Sequence, residues 1–323
     1  MKNYIKLLSL ILIISVTLIG CKSDETKTNN AIESSTETNL IVEETSEEIP
    51  KDTISISDEE FVEEIRTIVN TTIYPKESLE LFEQYYKLVD SNIASEGLTL
   101  ILENMEESQA SIDNDFFNAQ LDQPLYDAYV HETKKVDTSK LDKATLSLYE
   151  NTVVKNAYRV HSTEGMAYPI IDYSYFKKYF NNLNNELKDT ITLLAMESNE
   201  PMYNDGGFAI SYDEMVNRIL STEDFLNKYP GSKFFDMILS NMKTYASAYM
   251  IGANNTPAFS YDDNKLNEDL KASFESFLKL YPKSKFGEYL NGYYKSLVEN
   301  NLEAVEDYYS DSAIEVIYTT FSK

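Results

Sequence analysis

Carboxylates are the reactive groups this chain holds in excess: 54 Asp and Glu stand against 28 Lys and Arg, for a formal net charge of -26. Two of them could act as acid and base across a glycosidic bond, but no spacing singles out a pair, and a solvated acidic surface accounts for most such residues. Asp113-Asn114-Asp115 and Asp262-Asp263-Asn264 offer oxygen ligands of the kind calcium takes. Neither run has the alternating ligands, central Gly and terminal Glu of the helix-loop-helix calcium loop, and turn chemistry explains both. The two histidines, His131 and His161, lie thirty positions apart and form no helical pair. With Cys21 as the one cysteine, no zinc-ligand spacing exists. No Gly-x-Ser-x-Gly elbow, phosphate loop or Gly-x-Gly-x-x-Gly turn occurs. No residue is therefore expected to be catalytic, cofactor-binding or metal-binding.

The unusual resource is 25 tyrosines. Tyr168, Tyr173, Tyr175, Phe176, Tyr179 and Phe180 crowd one segment beside Gly165 and Pro169. Tyrosine joins a flat apolar face to a polar tip, which suits the binding of peptides or sugars. The same rings also serve to pack helices together. Tyr168, Tyr173, Tyr175 and Tyr179 are the ligand-binding candidates; His161, close in sequence, either lines the same groove or is a structural histidine.

The elements that must position these residues begin after an unusual N-terminus. Lys2 and Lys6 precede an apolar run from Leu7 to Ile19, the order of a secretory signal. At about 13 residues the run falls short of the ~20 that cross a bilayer as a helix. The junction Leu18-Ile19-Gly20-Cys21 resembles the lipobox of bacterial lipoproteins. That resemblance implies a diacylglycerol on the Cys21 thiol and cleavage after Gly20. Two acyl chains anchor a protein stably where one does not, so the expected location is the outer face of the bacterial cell membrane. A secreted chain with no other cysteine has no disulfide framework. Its acidity argues against nucleic acid as a partner.

Residues 21–56 are rich in Glu, Thr, Ser and Asn and hold no aromatic residue. Such a segment buries too little apolar surface to offset its ordering entropy. It is expected to be a disordered acidic tether, extended by self-repulsion. An N-terminal helical region over 57–160 and a C-terminal helical-hairpin domain over 161–323 follow. Ser57 with Glu60, and Ser211 with Glu214, match capping boxes. Apolar residues at helical spacing predict helices after Ser57, around Leu79–Val89, over Ala94–Glu107, over about Lys140–His161, from Asp172, and over Glu186–Ser198. Ser108–Pro124 reads as a loop.

The strongest internal signal is a repeat. Phe225-Leu226-Asn227-Lys228-Tyr229-Pro230-Gly231-Ser232-Lys233-Phe234 is echoed 52 residues later by Phe277-Leu278-Lys279-Leu280-Tyr281-Pro282-Lys283-Ser284-Lys285-Phe286. Proline stops one helix, and Ser232 or Ser284 is placed to cap the next. The pattern resembles helical-hairpin repeats of the tetratricopeptide type, over about 110 residues from Ser211 to a last helix ending near Thr320. The offset exceeds the family's ~34 residues because Ile251–Leu266 is inserted, and two copies are fewer than a solenoid normally needs.

The expected fold is all-α, helical hairpins packed as a bundle or short solenoid after a tether. The expected role is a membrane-anchored binding or scaffold module for a protein or peptide partner. The alternatives are an envelope hydrolase acting on wall glycans and a structural surface spacer. A pocket with two facing acids favours the hydrolase; an aromatic groove favours the binding module.

Overall fold

Helix begins where the acidic sequence without aromatic residues gives way to spaced apolar residues. The computed structural model describes residues 55–304. The expected signal peptide, Cys21, nearly all of the expected tether and the helix expected near Thr320 lie outside the described residues. Ile56, expected as tether, instead rests half-buried on the core.

Helix α1 (Asp58–Val69) is capped by Ser57, whose Oγ accepts the Glu60 N–H at 3.2 Å. It buries Phe61 and Ile65 against Gly97 of α3 (Ser91–Asn118). A Cβ on Gly97 would stand 2.8 Å from both Ile65 Cδ1 and Phe61 Cε1, so these helices meet at a distance only glycine permits. Pro75 opens α2 (Lys76–Tyr85). Helix α3 corrects the loop expected over Ser108–Pro124. It continues to Asn118, and α4 (Asp122–Ala128) follows. Met105, Ser108, Ile112 and Phe116 make one buried contact per turn, and this burial overrides the weak helix propensity of Asp113-Asn114-Asp115.

Strands β1 (Tyr129–Val130) and β2 (Lys135–Val136) form a short antiparallel ladder, and α5 (Lys143–Thr152) follows, capped by Asp142. The helix expected to reach His161 stops there. Residues 158–171 fold as β3 (Tyr158–Thr163) and β4 (Met166–Ile171), paired from Tyr158↔Ile171 to Thr163↔Met166. Glu164 and Gly165, at φ 51° and 81°, make the two-residue turn with both positions left-handed that hairpins favour. Burial alternates with period two: Tyr158, Val160, Ala167 and Ile171 face the core, while Arg159, His161, Tyr168 and Ile170 are half-buried on the other face. The hairpin therefore crosses the boundary expected at 160/161.

A 3-10 helix (Tyr173–Asn182) leads into α6 (Asn185–Asn199). Strands β5 (Tyr203–Asn204) and β6 (Gly207–Phe208) precede the first repeat copy, α7 (Tyr212–Lys228) and α8 (Phe235–Ile251). The insertion carries a fourth β-ladder, β7 (Gly252–Ala253) with β8 (Thr256–Pro257). The second copy is α9 (Glu268–Leu280) and α10 (Lys285–Glu299). Each copy is a helix–turn–helix unit, but the two turns differ. Ser284 Oγ caps α10 through the Gly287 N–H at 3.0 Å, whereas Ser232 Oγ accepts the Phe234 N–H within the turn before α8. Pro230-Gly231 and Pro282-Lys283 end the first helix of each unit in the expected place.

Glu223 of α7 joins the two copies. Buried at 7% exposure, its carboxylate accepts the Ser284 hydroxyl at 2.7 Å, the Lys285 N–H at 2.7 Å and the Phe286 N–H at 3.3 Å. A carboxylate from one hairpin thus satisfies the free N–H groups that open a helix of the other. The fold is all-α. Among the described residues, sheet is limited to four two-stranded antiparallel ladders, and one continuous apolar core runs from Phe61 to Leu297.

Candidate functional site

The period-two face of the β3–β4 hairpin turned away from the core forms one wall of a cleft of about 390 Å³. His161, Tyr168 and Ile170 come from the hairpin, and Tyr173 from the start of the 3-10 helix. Helix α3 supplies Glu106 and Gln109, α6 supplies Leu194, Glu197 and Ser198, and α8 supplies Met237 and Asn241. Two of the four candidate tyrosines, Tyr168 and Tyr173, therefore meet here with His161.

Within the hairpin wall, the rings of His161 and Tyr168 meet edge to face at 5.4 Å between centroids. Burial, the Arg159 and Lys134 charges and His131 together lower the His161 imidazole below its ordinary value, which keeps it neutral at neutral pH. Gln109 fixes the hairpin to α3 by donating from Nε2 to the Pro169 carbonyl at 2.9 Å and to Asp113 Oδ1 at 2.8 Å. Asp115 accepts the Tyr74 hydroxyl at 2.7 Å. Both aspartates of this candidate calcium run are thus engaged on a helix. In the other run, Asp263 accepts the Lys265 N–H at 3.2 Å.

The two acids in the cleft differ in their surroundings. Glu106 accepts a hydrogen bond from the Tyr173 hydroxyl and, among the described residues, pairs with no cation. Burial raises its carboxyl above the ordinary range. Glu197 is held on several sides. Arg218 Nη1 lies 2.6 Å from its Oε2, the Tyr245 hydroxyl donates to Oε2 at 3.1 Å, and the Met202 N–H donates to Oε1 at 2.9 Å. Arg218 is 1% exposed; its Nε reaches Glu214 at 2.9 Å and its Nη2 the Glu200 carbonyl at 2.8 Å. Glu214 was expected to close a capping box with Ser211. Its own N–H does donate to Ser211 Oγ, but its carboxylate turns to Arg218. The Ser198 hydroxyl oxygen is buried with no hydrogen-bond partner among the described residues.

The other two candidate tyrosines lie elsewhere. Tyr179, 1% exposed, packs edge to face on Phe82 and Tyr86, each with centroids 5.0 Å away. Its hydroxyl donates to Glu83 Oε1 at 2.6 Å, and the Tyr175 hydroxyl donates to the same atom at 3.2 Å. Lys178 Nζ bonds that oxygen at 2.6 Å and stands 3.7 Å from the Tyr175 ring centroid. Burial works to raise the Glu83 carboxyl, and the bonds from Lys178, Tyr179 and Tyr175 outweigh it, leaving it below the ordinary range.

A second pocket has a volume of about 400 Å³. Lys134, Lys135 and Arg159 line it, with Thr133, Tyr149, Asp172 and Asn199. Three of its residues are sequence neighbours of residues that line the first cleft, though the two linings share none: Arg159 lies two residues from His161, Asn199 follows Ser198, and Asp172 follows Ile171. Glu106, Glu197 and Arg159 carry no motif in the sequence that marks them as site residues. Arg159 was hidden by the helix expected over 140–161, because only the strand turns Arg159 and His161 to one face. Comparison of the chain with family models, curated proteins and solved structures gives no match.

Proposed function

We propose that the chain is an extracytoplasmic lipoprotein, anchored through Cys21, whose cleft receives an extended segment of a protein or peptide partner. The cleft carries the reading. It is open to solvent, roughly the size of one or two residues, and lined by the rings of Tyr168 and Tyr173 beside Ile170, Leu194 and Met237. Aromatic and aliphatic walls with a few placed polar groups are the usual make-up of a binding pocket. The tether would hold this cleft away from the bilayer. No helix among the described residues is long and apolar enough to cross a membrane.

The occurrence of Glu106 and Glu197 in one cleft favours a second reading, a glycan hydrolase. Against it, Glu197 is committed to Arg218, Tyr245 and the Met202 N–H. A catalytic base must be free to meet a water or a sugar.

The test is chemical cross-linking on intact cells, with mass spectrometry of what the chain captures. The binding reading expects a reproducible partner that is lost in Tyr168→Ala and retained in Tyr175→Ala. The same cells should release the chain from the membrane fraction, or leave it unprocessed, when Cys21 is replaced by Ser. Turnover of wall glycan by the wild type, abolished in Glu106→Gln, with no protein captured, would replace the binding reading with the hydrolase.

A further inference from the structure

The pocket of about 400 Å³ at the end of α6 is separate in its lining from the cleft, and the binding reading above makes no use of it. The β1–β2 ladder brings Lys134, Lys135 and Val136 to it, α5 brings Tyr149, β3 brings Arg159, and the residue that caps the 3-10 helix brings Asp172. Three cations in one pocket run against the composition of a chain that holds 54 acids and 28 bases.

The contacts of these cations leave one charge over. Lys134 is engaged: its Nζ stands 3.4 Å from the Asn199 carbonyl at the end of α6 and 3.5 Å from Glu200 Oε1. Arg159 is half-buried and bonds neutral oxygens, Asn199 Oδ1 from Nη1 at 3.0 Å and the Lys134 carbonyl from Nη2 at 3.2 Å. A guanidinium has more N–H donors than these bonds use. Lys135 is exposed and makes no ion pair among the described residues. Asp172 is the one carboxylate in the lining, and its Oδ1 accepts the Ser174 N–H at 3.1 Å. With Lys134 set against Glu200, Arg159 and Lys135 share Asp172, and a single positive charge remains. A half-buried charge without a counter-charge is costly, and an anionic ligand would relieve that cost.

The field of these cations reaches the neighbouring rings. Burial raises the Tyr129 and Tyr149 hydroxyls, and Arg159 is the cation that works against it at both. Burial lowers His161, and the charges of Arg159 and Lys134 lower it further.

We propose that this pocket binds a singly charged organic carboxylate, its oxygens toward Arg159 and Lys135 and its apolar body against Val136 and the Tyr149 ring. Guanidinium is the side chain best matched to a carboxylate. One negative charge balances the pocket, whereas a dianion would reverse its sign.

The test uses the full-length chain in detergent and ligand-observed NMR, which detects weak binding. The probes are 4-methylpentanoate and its amide, with inorganic sulfate, a dianion, as competitor. The acid should bind about tenfold more tightly than the amide, the ratio a charge-assisted hydrogen bond is worth, and sulfate should displace it only at a large excess. Arg159→Gln should erase the preference for the acid. Lys135→Gln, at an exposed and unpaired position, should weaken the acid about threefold. Asp172→Asn keeps an oxygen for the Ser174 N–H and removes the opposing charge, so it should tighten the acid about threefold. A damaged fold cannot tighten binding, so the opposite signs separate charge from structure. Equal binding of acid and amide, binding of neither, displacement by sulfate at equal concentration, or an acid affinity that Lys135→Gln and Asp172→Asn both leave unchanged would overturn the inference. Tyr168→Ala should leave the acid bound as in the wild type while partner capture is lost, so this inference and the binding reading stand or fall separately.

Discussion

Arg218 and Glu197 meet at 2.6 Å with the cation almost wholly buried and the carboxylate 39% exposed. This asymmetry decides which partner matters more to stability. Removing Glu197 leaves the buried guanidinium with Glu214 as its remaining acid partner among the described residues, whereas removing the base leaves two acids that can turn to water. Glu197→Ala should cost about 3 kcal/mol. Arg218→Met, which fills the same space without charge, should cost less, about 1.5 kcal/mol or under. Chemical denaturation of both variants gives the order; equal losses would mean that the pair is not what holds α6 to α7.

Glu106 makes stability depend on pH. Burial raises its folded-state carboxyl above the ordinary 4.5. A raised acid contributes stability that is fully present below the unfolded value and is lost as pH rises through the folded one. Glu106→Gln removes that loss and keeps an acceptor for Tyr173. The variant should therefore be more stable than the wild type at pH 7, and the two melting curves should converge below about pH 4. A variant less stable at neutral pH would show that the charge is already compensated. Greater stability together with lost peptide binding would mark Glu106 as a group kept for a ligand.

Glu223 should be the most sensitive link between the two repeat copies. Gln in its place sets an amide NH2 against groups that are themselves donors, at a cost of about 2 kcal/mol. Ser284→Ala should cost about 1 kcal/mol, the usual value of a lost cap. Because Ser284 Oγ bonds both Glu223 and the Gly287 N–H, the double variant should fall short of the sum. Additive losses from urea titrations would show that the two groups act separately.

Tyr179→Phe keeps the ring packed on Phe82 and Tyr86 and deletes the hydrogen bond to Glu83. It should cost about 1.5 kcal/mol, in the range of a hydrogen bond to a charged group, and leave partner capture unchanged. Tyr168→Ala should do the opposite. If Tyr179→Phe lost the partner and kept its stability, the binding surface would lie on the Lys178 side of the molecule.

The helical class was legible because apolar spacing, caps and proline stops agree along most of the chain. Ser57, Pro230, Pro282 and Ser284 act where their types predict. The site was less legible, and for a definite reason. Tyr158-Arg159-Val160-His161 alternates apolar and polar residues, but it directly follows a helical segment, and the turn that completes the hairpin needs a left-handed Glu164 before Gly165. Reading those four residues as the last turn of a helix scatters Arg159 and His161 around a cylinder. Reading them as a strand places both on one face. The tyrosines divided for a similar reason. In the 3-10 helix from Tyr173, Tyr173 meets Glu106 while Tyr175 and Tyr179 meet Glu83, an assignment that depends on acids 67 and 92 to 96 positions away.

The ladder inserted between the repeat copies bears on how the molecule comes apart. Gly252, at φ +85°, lets the chain turn where a Cβ would stand 2.3 Å from the Ala258 nitrogen. From that turn, Asn255 N–H donates to the Gly206 carbonyl at 2.9 Å, and Thr256 Oγ1 accepts the Phe208 N–H at 3.0 Å. The β5–β6 and β7–β8 tips thus clasp each other across the base of α7 and α8, closing some 50 residues into a ring. A ring held at its neck does not fray helix by helix. The amides of α7 and α8 should exchange with solvent as one cooperative block, at a single opening free energy, and Gly252→Ala should release that block while the α1–α3 core stays closed.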